Sequence, residues 1–319
     1  MGRNVVVTGG AGFIGSHVVD AYLAAGDAVT VIDDLSTGRR ANLPRAATFI
    51  EADVRSEQAR EVIARGGFAL LNHHAAQIDV RRSVADPVFD ASVNVLGLLN
   101  VLQGAQAGGV RRVVFSSSGG TVYGEAAAPP LHETQPKFPA SPYGTAKLAA
   151  EYYLAAFARL YGREVAVLRY SNVYGPRQDS QGEAGVVAIF ARQLLDGEPL
   201  TVLGDGEQTR HMVFVEDVAA ANLAASDAAL PPVSDVDACA FNIATGLETS
   251  VNQLAAALAQ ALQGGGGGSR AEVRHAAARP GELRRNALAV DKAARVLGWR
   301  PRTTLAEGLR LTVHAIAED

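Results

Sequence analysis

Residues 4–16 read Asn-Val-Val-Val-Thr-Gly-Gly-Ala-Gly-Phe-Ile-Gly-Ser, a β-branched run followed by glycines three apart at positions 9, 12 and 15. A strand, a tight turn and the start of a helix fit this pattern. Gly9, Gly12 and Gly15 permit the turn, let backbone N–H groups approach a pyrophosphate and let helix and strand pack closely, while the helix end adds partial positive charge. Such a spacing alone also marks ordinary strand–helix turns, so its context decides. Asp33 closes the next strand-like run, 18 residues after Gly15, where a carboxylate meets the hydroxyls of an adenosine ribose. It would repel a 2′-phosphate, which favours NAD over NADP. Arg39 and Arg40 are the counter-signal.

Working outward, short β-branched runs alternate with longer amphipathic ones, the pattern of parallel strands joined by helical crossovers. The expected strands are 4–8, 28–33, 48–51, 69–72, 112–117 and 164–169, and the expected helices 13–25, 56–65, 90–107 and 142–161. Ser141 is the expected N-cap of the last helix, with Pro142 in its first turn and Gly162 past its end. The fold class is α/β: a Rossmann-type doubly wound parallel sheet with a smaller mixed α/β lobe. The expected division is a cofactor domain over 1–172 and a substrate lobe over 173–319, partly interleaved. Helices are expected in the lobe at 186–195, 215–226, 251–262 and 305–317. The run Gly264–Gly268 reads as a surface loop before a last strand near 272–275.

The 319 residues carry 29 Lys+Arg against 33 Asp+Glu, a formal charge of −4, so no basic field is available for nucleic acid. With 48% hydrophobic and 19% charged residues, most of the chain is expected to fold. The single cysteine, Cys239, excludes an internal disulfide and a thiolate metal cluster. No signal peptide and no apolar run near the ~20 residues of a membrane span are expected, which points to the cytoplasm. His73-His74 invites a metal reading, but successive strand residues face opposite sides and no third ligand is evident.

Tyr143 and Lys147 stand four apart at the start of the strong helix and share a face. An unperturbed phenol, with a pKa of ~10, is a poor base at neutral pH, but a neighbouring ammonium and an oxidised nicotinamide favour phenolate. Ser116, Ser117 and Ser118 end the fifth strand, at the edge where open α/β sheets bind ligands. A hydroxyl there can relay a proton to Tyr143.

With residues 116–124 (SSSGGTVYG), 141–147 (SPYGTAK), 168–177 (LRYSNVYGPR), Gly204-Asp-Gly206 through Arg210, and Arg279-Pro-Gly-Glu282, the chain resembles the extended short-chain dehydrogenase/reductase superfamily. Within it, the similarity is greatest to nucleotide-sugar epimerases of the UDP-glucose 4-epimerase type, over nearly the whole chain. The resemblance implies Tyr143 as general base, Lys147 on the nicotinamide ribose and Ser118 as the hydroxyl residue. Gly119-Gly120 is one residue longer than some versions of the motif, which leaves Ser117 and Thr121 as substitutes. The cofactor residues so implied are Gly9, Gly12, Phe13, Ile14, Gly15, Asp33, Asp34, Ser36, Asp53, Val54, Ala75, Ala76, Gln77, Asn94, Ser116, Tyr143, Lys147 and Tyr170. Asp53 reads equally as a turn aspartate.

For the substrate, the resemblance implies Arg210 and Arg279 on a diphosphate, Glu282 on a ribose, Asn172 with the Val186 and Val187 backbone on the nucleotide, and Thr201 and Leu203 against the base. Asn286 resembles a pocket-wall position. The implied activity is NAD-dependent 4-epimerisation of a UDP-sugar by a homodimer. A 4,6-dehydratase would carry an Asp-Glu pair where this chain has Gly120-Thr121. A uronate epimerase or decarboxylase and a noncatalytic NAD sensor stay open.

Overall fold

The computed structural model describes residues 2–124, 129–179, 185–263, 272–278 and 284–318. The first half runs β1 (Asn4–Thr8), α1 (Phe13–Ala24), β2 (Ala28–Asp33), β3 (Thr48–Glu51), α2 (Glu57–Arg65) and β4 (Leu70–His73). It continues with α3 (Val80–Ala85), α4 (Pro87–Ala91), a π-helical turn over Ser92–Gly97, α5 (Leu98–Ala107), β5 (Arg112–Ser118), α6 (Pro142–Tyr161) and β6 (Glu164–Tyr170). The second half holds β7 (Asn172–Tyr174), α7 (Val186–Leu195), β8 (Leu200–Leu203), β9 (Thr209–Phe214), α8 (Val215–Asp227) and β10 (Ala240–Ile243). It ends with β11 (Glu248–Ser250), α9 (Val251–Gln263), β12 (Val273–Ala276), β13 (Arg285–Asn286), α10 (Asp291–Val296) and α11 (Leu305–Glu318).

Seven strands form one parallel sheet in the order β3-β2-β1-β4-β5-β6-β10, so the direction of winding reverses between β1 and β4. Both faces are covered, which is why the strands read as near-continuous apolar runs. On one side Val5 and Val7 pack with Val18 and Tyr22 of α1 and Val218 of α8. On the other, Val6 and Leu71 pack with Ile63, Leu102 and Leu154 from α2, α5 and α6. A third cluster, including Phe190, Phe214, Leu254 and Leu309, makes the core of the smaller lobe around β9.

The sheet takes its edge strand, β10, from beyond residue 172, so the two halves interleave at that edge. The sequence reading differs from the structure in three places. Strands β7 to β11 are only three to six residues long, too short to show a period against the loops around them. The long helix begins at Pro87, three residues before the expected 90, because the Asp86 side chain accepts from the Phe89 N–H and Pro87 occupies the first turn. That extension also corrects the expectation about apolar runs. Pro87–Ala107 is a continuous helix of 21 residues, long and apolar enough to cross a membrane by length and composition. Here its α5 portion packs into the core beside α2 and the sheet. The five-glycine run lies outside the described residues.

A buried polar cluster sits between β5, β6 and α6. Glu151 and Arg169 are both fully buried and paired at 2.6 Å, and Ser117 donates to Glu151 at 2.5 Å. The Arg169 guanidinium also donates to the Tyr123 hydroxyl, the Glu133 carbonyl and the Asp237 carboxylate, each at 3.0 Å. Removing one member of a buried pair leaves the other uncompensated, so Glu151→Ala is expected to destabilise the fold by about 3–5 kcal/mol in urea denaturation.

His73, at the end of β4, is 1% exposed, and its Nδ1 lies 2.7 Å from the Thr8 hydroxyl. Burial, with the neighbouring Lys147 and His74, holds its pKa down to about 3. The unfolded chain therefore takes up a proton that the folded one does not between the ordinary histidine value of about 6.5 and that point. Stability is expected to fall as pH drops through this window, with a slope of up to about 1.4 kcal/mol per pH unit from this residue. His73→Gln flattens that slope in urea titrations run at successive pH values.

Candidate active site

The ends of β1, β2, β4 and β5 converge on the crevice beside the winding reversal, where open α/β sheets bind their ligands. Gly9 takes a left-handed φ of +69°, and a Cβ there would lie 2.4 Å from the Ala75 N. A Cβ on Gly15 would lie 2.1 Å from the Gly9 carbonyl. These two glycines let the turn lie against the β4 loop and against α1. Gly12 differs, since its φ of −75° is ordinary and a Cβ would meet only the Gly9 carbonyl, at 3.3 Å. It caps α1 without a side-chain hydrogen bond, leaving the first-turn N–H groups of Phe13 and Ile14 for an anion. A cradle kept open over an uncapped helix end fits a dinucleotide pyrophosphate.

Asp33 is buried beside this turn, one oxygen accepting from the Ala11 N–H at 2.9 Å and the other from the Leu35 N–H at 2.8 Å. It fixes the glycine turn to the loop after β2. Burial raises its pKa against those two hydrogen bonds. Asp34 accepts from the Ser36 N–H and hydroxyl, closing a local turn at the surface. Asp53 is held by Arg55 through side chain and backbone, which keeps its carboxyl below the usual range, while Val54 is buried in the core. The counter-signal arginines are engaged elsewhere: Arg40 lies over the Phe49 ring at 4.9 Å, and Arg39 faces Asp179 at 3.8 Å.

Beyond β4, Ala75 lies against the glycine turn and Ala76 leads into Gln77. Asn94 reads the Gln77 backbone in both directions, accepting from its N–H and donating to its carbonyl, each at 3.0 Å. It thus holds the loop. The Tyr170 hydroxyl accepts from Asn222 at 2.8 Å inside the core, and its ring stacks on His74.

The proton-transfer group lies where β5 meets α6. Ser141 caps α6 by accepting from the Gly144 N–H, and one turn in, Lys147 is 3% exposed. Lys147 Nζ donates to the Ser116 carbonyl at 2.9 Å and lies over the Phe115 ring at 4.9 Å and the Tyr143 ring at 5.9 Å. Burial brings its pKa down to about 8, against the upward pull of Asp90 and Glu151. Ser118 lies beside the Tyr143 phenol and acts to lower its pKa. Burial and the charge of Asp90 push the phenol above its ordinary value, so the chain's own groups keep it protonated. Of the three candidate hydroxyls, Ser117 is committed to Glu151 and the Thr121 hydroxyl is buried without a partner among the described residues. Ser118 alone of these meets the tyrosine.

In the smaller lobe, β7 pairs with β9 in register Asn172 to Met212, which brings exposed Asn172 and half-buried Arg210 onto one sheet. Arg210 Nη1 donates to the Thr209 carbonyl at 2.7 Å. Val186 and Val187 open α7, capped by Gly185 without a side-chain hydrogen bond, so their N–H groups form a second uncapped helix end. Thr201 and Leu203 lie on β8 beside Arg274 and Ala276 of β12. Asn286 reaches the Gly119 and Gly120 carbonyls at 3.4 and 3.3 Å, beside Ser118. Arg279 and Glu282 lie outside the described residues. The sequence reading missed Asp90 and the Glu151–Arg169 pair. A carboxylate four residues before Asn94, on one face of an apolar helix, is the signal that would have found Asp90.

Residues 5–244 match the model of the NAD dependent epimerase/dehydratase family, and the chain belongs to that family. It is 44% identical to the UDP-glucose 4-epimerase of Mycolicibacterium smegmatis over 97% of both chains. It superposes on the UDP-glucose 4-epimerase of Thermotoga maritima, solved with UDP-glucose, with a TM-score of 0.91 at 44% identity, covering 99% of each chain. The UDP-glucose 4-epimerase of Thermus thermophilus, solved with NAD, gives a TM-score of 0.87 at 42% identity over 98% of each.

Gly12→Ala places a methyl in the open cradle while touching only one carbonyl. It is expected to leave the melting curve nearly unchanged and to weaken NAD binding at least about tenfold, roughly 1.4 kcal/mol, read from NAD retained after gel filtration.

Proposed function

We infer that the protein is an NAD-dependent 4-epimerase of UDP-sugars, interconverting UDP-glucose and UDP-galactose through a transient 4-keto sugar. The observation that carries this is the buried Lys147 at the end of β5, its Nζ on the Ser116 carbonyl and over the Tyr143 ring, with Ser118 beside that tyrosine and the glycine cradle alongside. NAD, when bound, supplies a reversible acceptor for the C4 hydride, so the reaction has no net redox change.

The chain's own part is proton transfer, charge placement and binding. Ser118 receives the C4 hydroxyl, and the proton passes to Tyr143, directly or through the serine. Because burial and Asp90 hold the phenol protonated, the phenolate needs positive charge close by, which the Lys147 ammonium provides from one turn along α6. The Ser116 carbonyl fixes that ammonium at the site. When hydride returns to the other face of the sugar, Tyr143 gives the proton back. Arg210 and Arg279 are assigned to the diphosphate and Glu282 to the ribose, and the N–H groups of Val186 and Val187, at an uncapped helix end, are assigned to the same nucleotide. A hold on the nucleotide, not on the hexose, leaves the keto sugar able to turn over between the two hydride transfers.

A homodimer is part of this reading. Tyr152, Tyr153, Leu160 and Tyr161 on α6, with Val88 and Leu96 on the preceding long helix, are exposed large apolar side chains. A second copy would cover them. A cytoplasmic setting suits the lone cysteine, Cys239, a buried thiol whose pKa is pushed up to about 12.

Incubating the protein with UDP-galactose, without added NAD, is expected to yield UDP-glucose by chromatography with no accumulation of NADH absorbance. No product even with NAD supplied would overturn the substrate assignment. Tyr143→Phe is expected to lose about 10²–10⁴-fold in kcat while retaining bound NAD.

A further inference from the structure

Asp90 is 1% exposed and is assigned no contact with cofactor or substrate. It sits at the junction of α4 with the π-helical turn, and its Oδ1 accepts from Gln77 Nε2 and Asn94 Nδ2, both at 2.9 Å. Gln77 and Asn94 are in turn bonded through the Gln77 backbone, so the three side chains form a closed clamp on the loop that follows β4. Oδ2 is buried and has no hydrogen-bond partner among the described residues. A carboxylate that needs only one oxygen for its structural bonds could be an amide, at lower desolvation cost. Its second oxygen therefore points to a use for the charge. Asp90 lines the cleft between this helix and the start of α6, with Ser141, Thr145 and Ala146, which flank Tyr143 and Lys147, so its negative charge lies where it opposes loss of a proton from either.

We propose that Asp90 is a positioning residue for the proton-transfer pair: the clamp fixes the Ala75–Gln77 loop, and the negative charge governs how readily Tyr143 and Lys147 release their protons. The inference rests on the epimerase reading for its role in turnover, but not for its effect on the two groups. Other charges surround the site. Glu151 follows Lys147 by one turn on α6, and His73 and His74 lie at the end of β4. Arg82 and Arg55 lie over Phe89, the residue before Asp90, at 4.0 and 5.5 Å. Asp79 and Asp86 cap α3 and α4 from their N-termini. Among them, Asp90 is the carboxylate that bears on the phenol directly.

Asp90→Asn retains an oxygen for both amides and removes only the charge. The first readout is the near-ultraviolet tyrosinate titration of the NAD-loaded protein, with Tyr143→Phe as the difference reference. Loss of the negative charge makes phenolate easier to form, so the Tyr143 midpoint is expected to move to lower pH by at least about half a unit. The second readout is the kcat/KM profile with UDP-galactose, in which both limbs move to lower pH. Asp90→Ser, which also loses the clamp, is expected to show the same titration shift and to release NAD faster. It serves as the charge test if the asparagine variant fails to fold. A Tyr143 midpoint unchanged in the folded variant overturns the proposal and leaves Asp90 a structural hydrogen-bond acceptor. Absence of turnover in the unaltered protein overturns the epimerase reading, while the titration still decides the role of Asp90.

Discussion

A carboxylate and a guanidinium that are both sealed from water must find each other, and the meeting of Glu151 with Arg169 orders the centre of this molecule. Glu151 belongs to α6 and Arg169 to β6, and Ser117 of β5 donates to the same carboxylate. Three elements are thereby set in rotation and height relative to one another. In a strand, neighbouring side chains point to opposite faces, so committing Ser117 to one side turns Ser116 and Ser118 to the other. In a helix, residues four apart share a face, so fixing Glu151 also fixes Lys147, and with it Tyr143. The placement of Ser118, Tyr143 and Lys147 is a consequence of a buried ion pair that stands apart from them.

The site is balanced between opposing charges. Burial disfavours both the phenolate of Tyr143 and the ammonium of Lys147, while Asp90 and Glu151 pull the lysine back toward its charged form. Protein groups alone thus leave the tyrosine a proton donor. On the proposed function, its conversion to a base belongs to the moment when positive charge gathers around it, which would couple proton release to occupation of the cofactor site.

Much of this was legible in the chain because the decisive features are local. The run from Asn4 to Ser16, the carboxylate at Asp33 and the Tyr143–Lys147 spacing each declare a backbone shape or a chemical role within a few residues. So do the Ser141 cap and Pro142, which fix the start of α6. What escaped has longer range. No local pattern joins Glu151 to Arg169 and Asp237, because their pairing is a property of packing across separate elements. The same holds for β10, a four-residue strand that becomes one only by lying beside β6. Telling Ser117, Ser118 and Thr121 apart needed the pleat of β5 in place, since the structure commits Ser117 to Glu151, sets Ser118 beside Tyr143 and leaves Thr121 without a partner among the described residues. Asp90 was hidden for another reason: within an apolar helix it reads as the polar edge of an amphipathic face until its partners are seen.

The place of β10 at the sheet edge bears on how the chain is made. As it leaves the ribosome, everything up to β6 can assemble, but the outer side of β6 then offers unsatisfied backbone groups and an arginine still lacking Asp237. The segment that completes both arrives only after the lobe strands β7 to β9 and helix α8 have been synthesised. The nascent half-molecule therefore waits with an adhesive flank, and a translational pause or truncation before Ile243 leaves a species prone to self-association. A nucleotide-binding half that closes its own sheet with a distant segment is not a separable module, and dividing the chain after residue 172 would produce a fragment without its last wall.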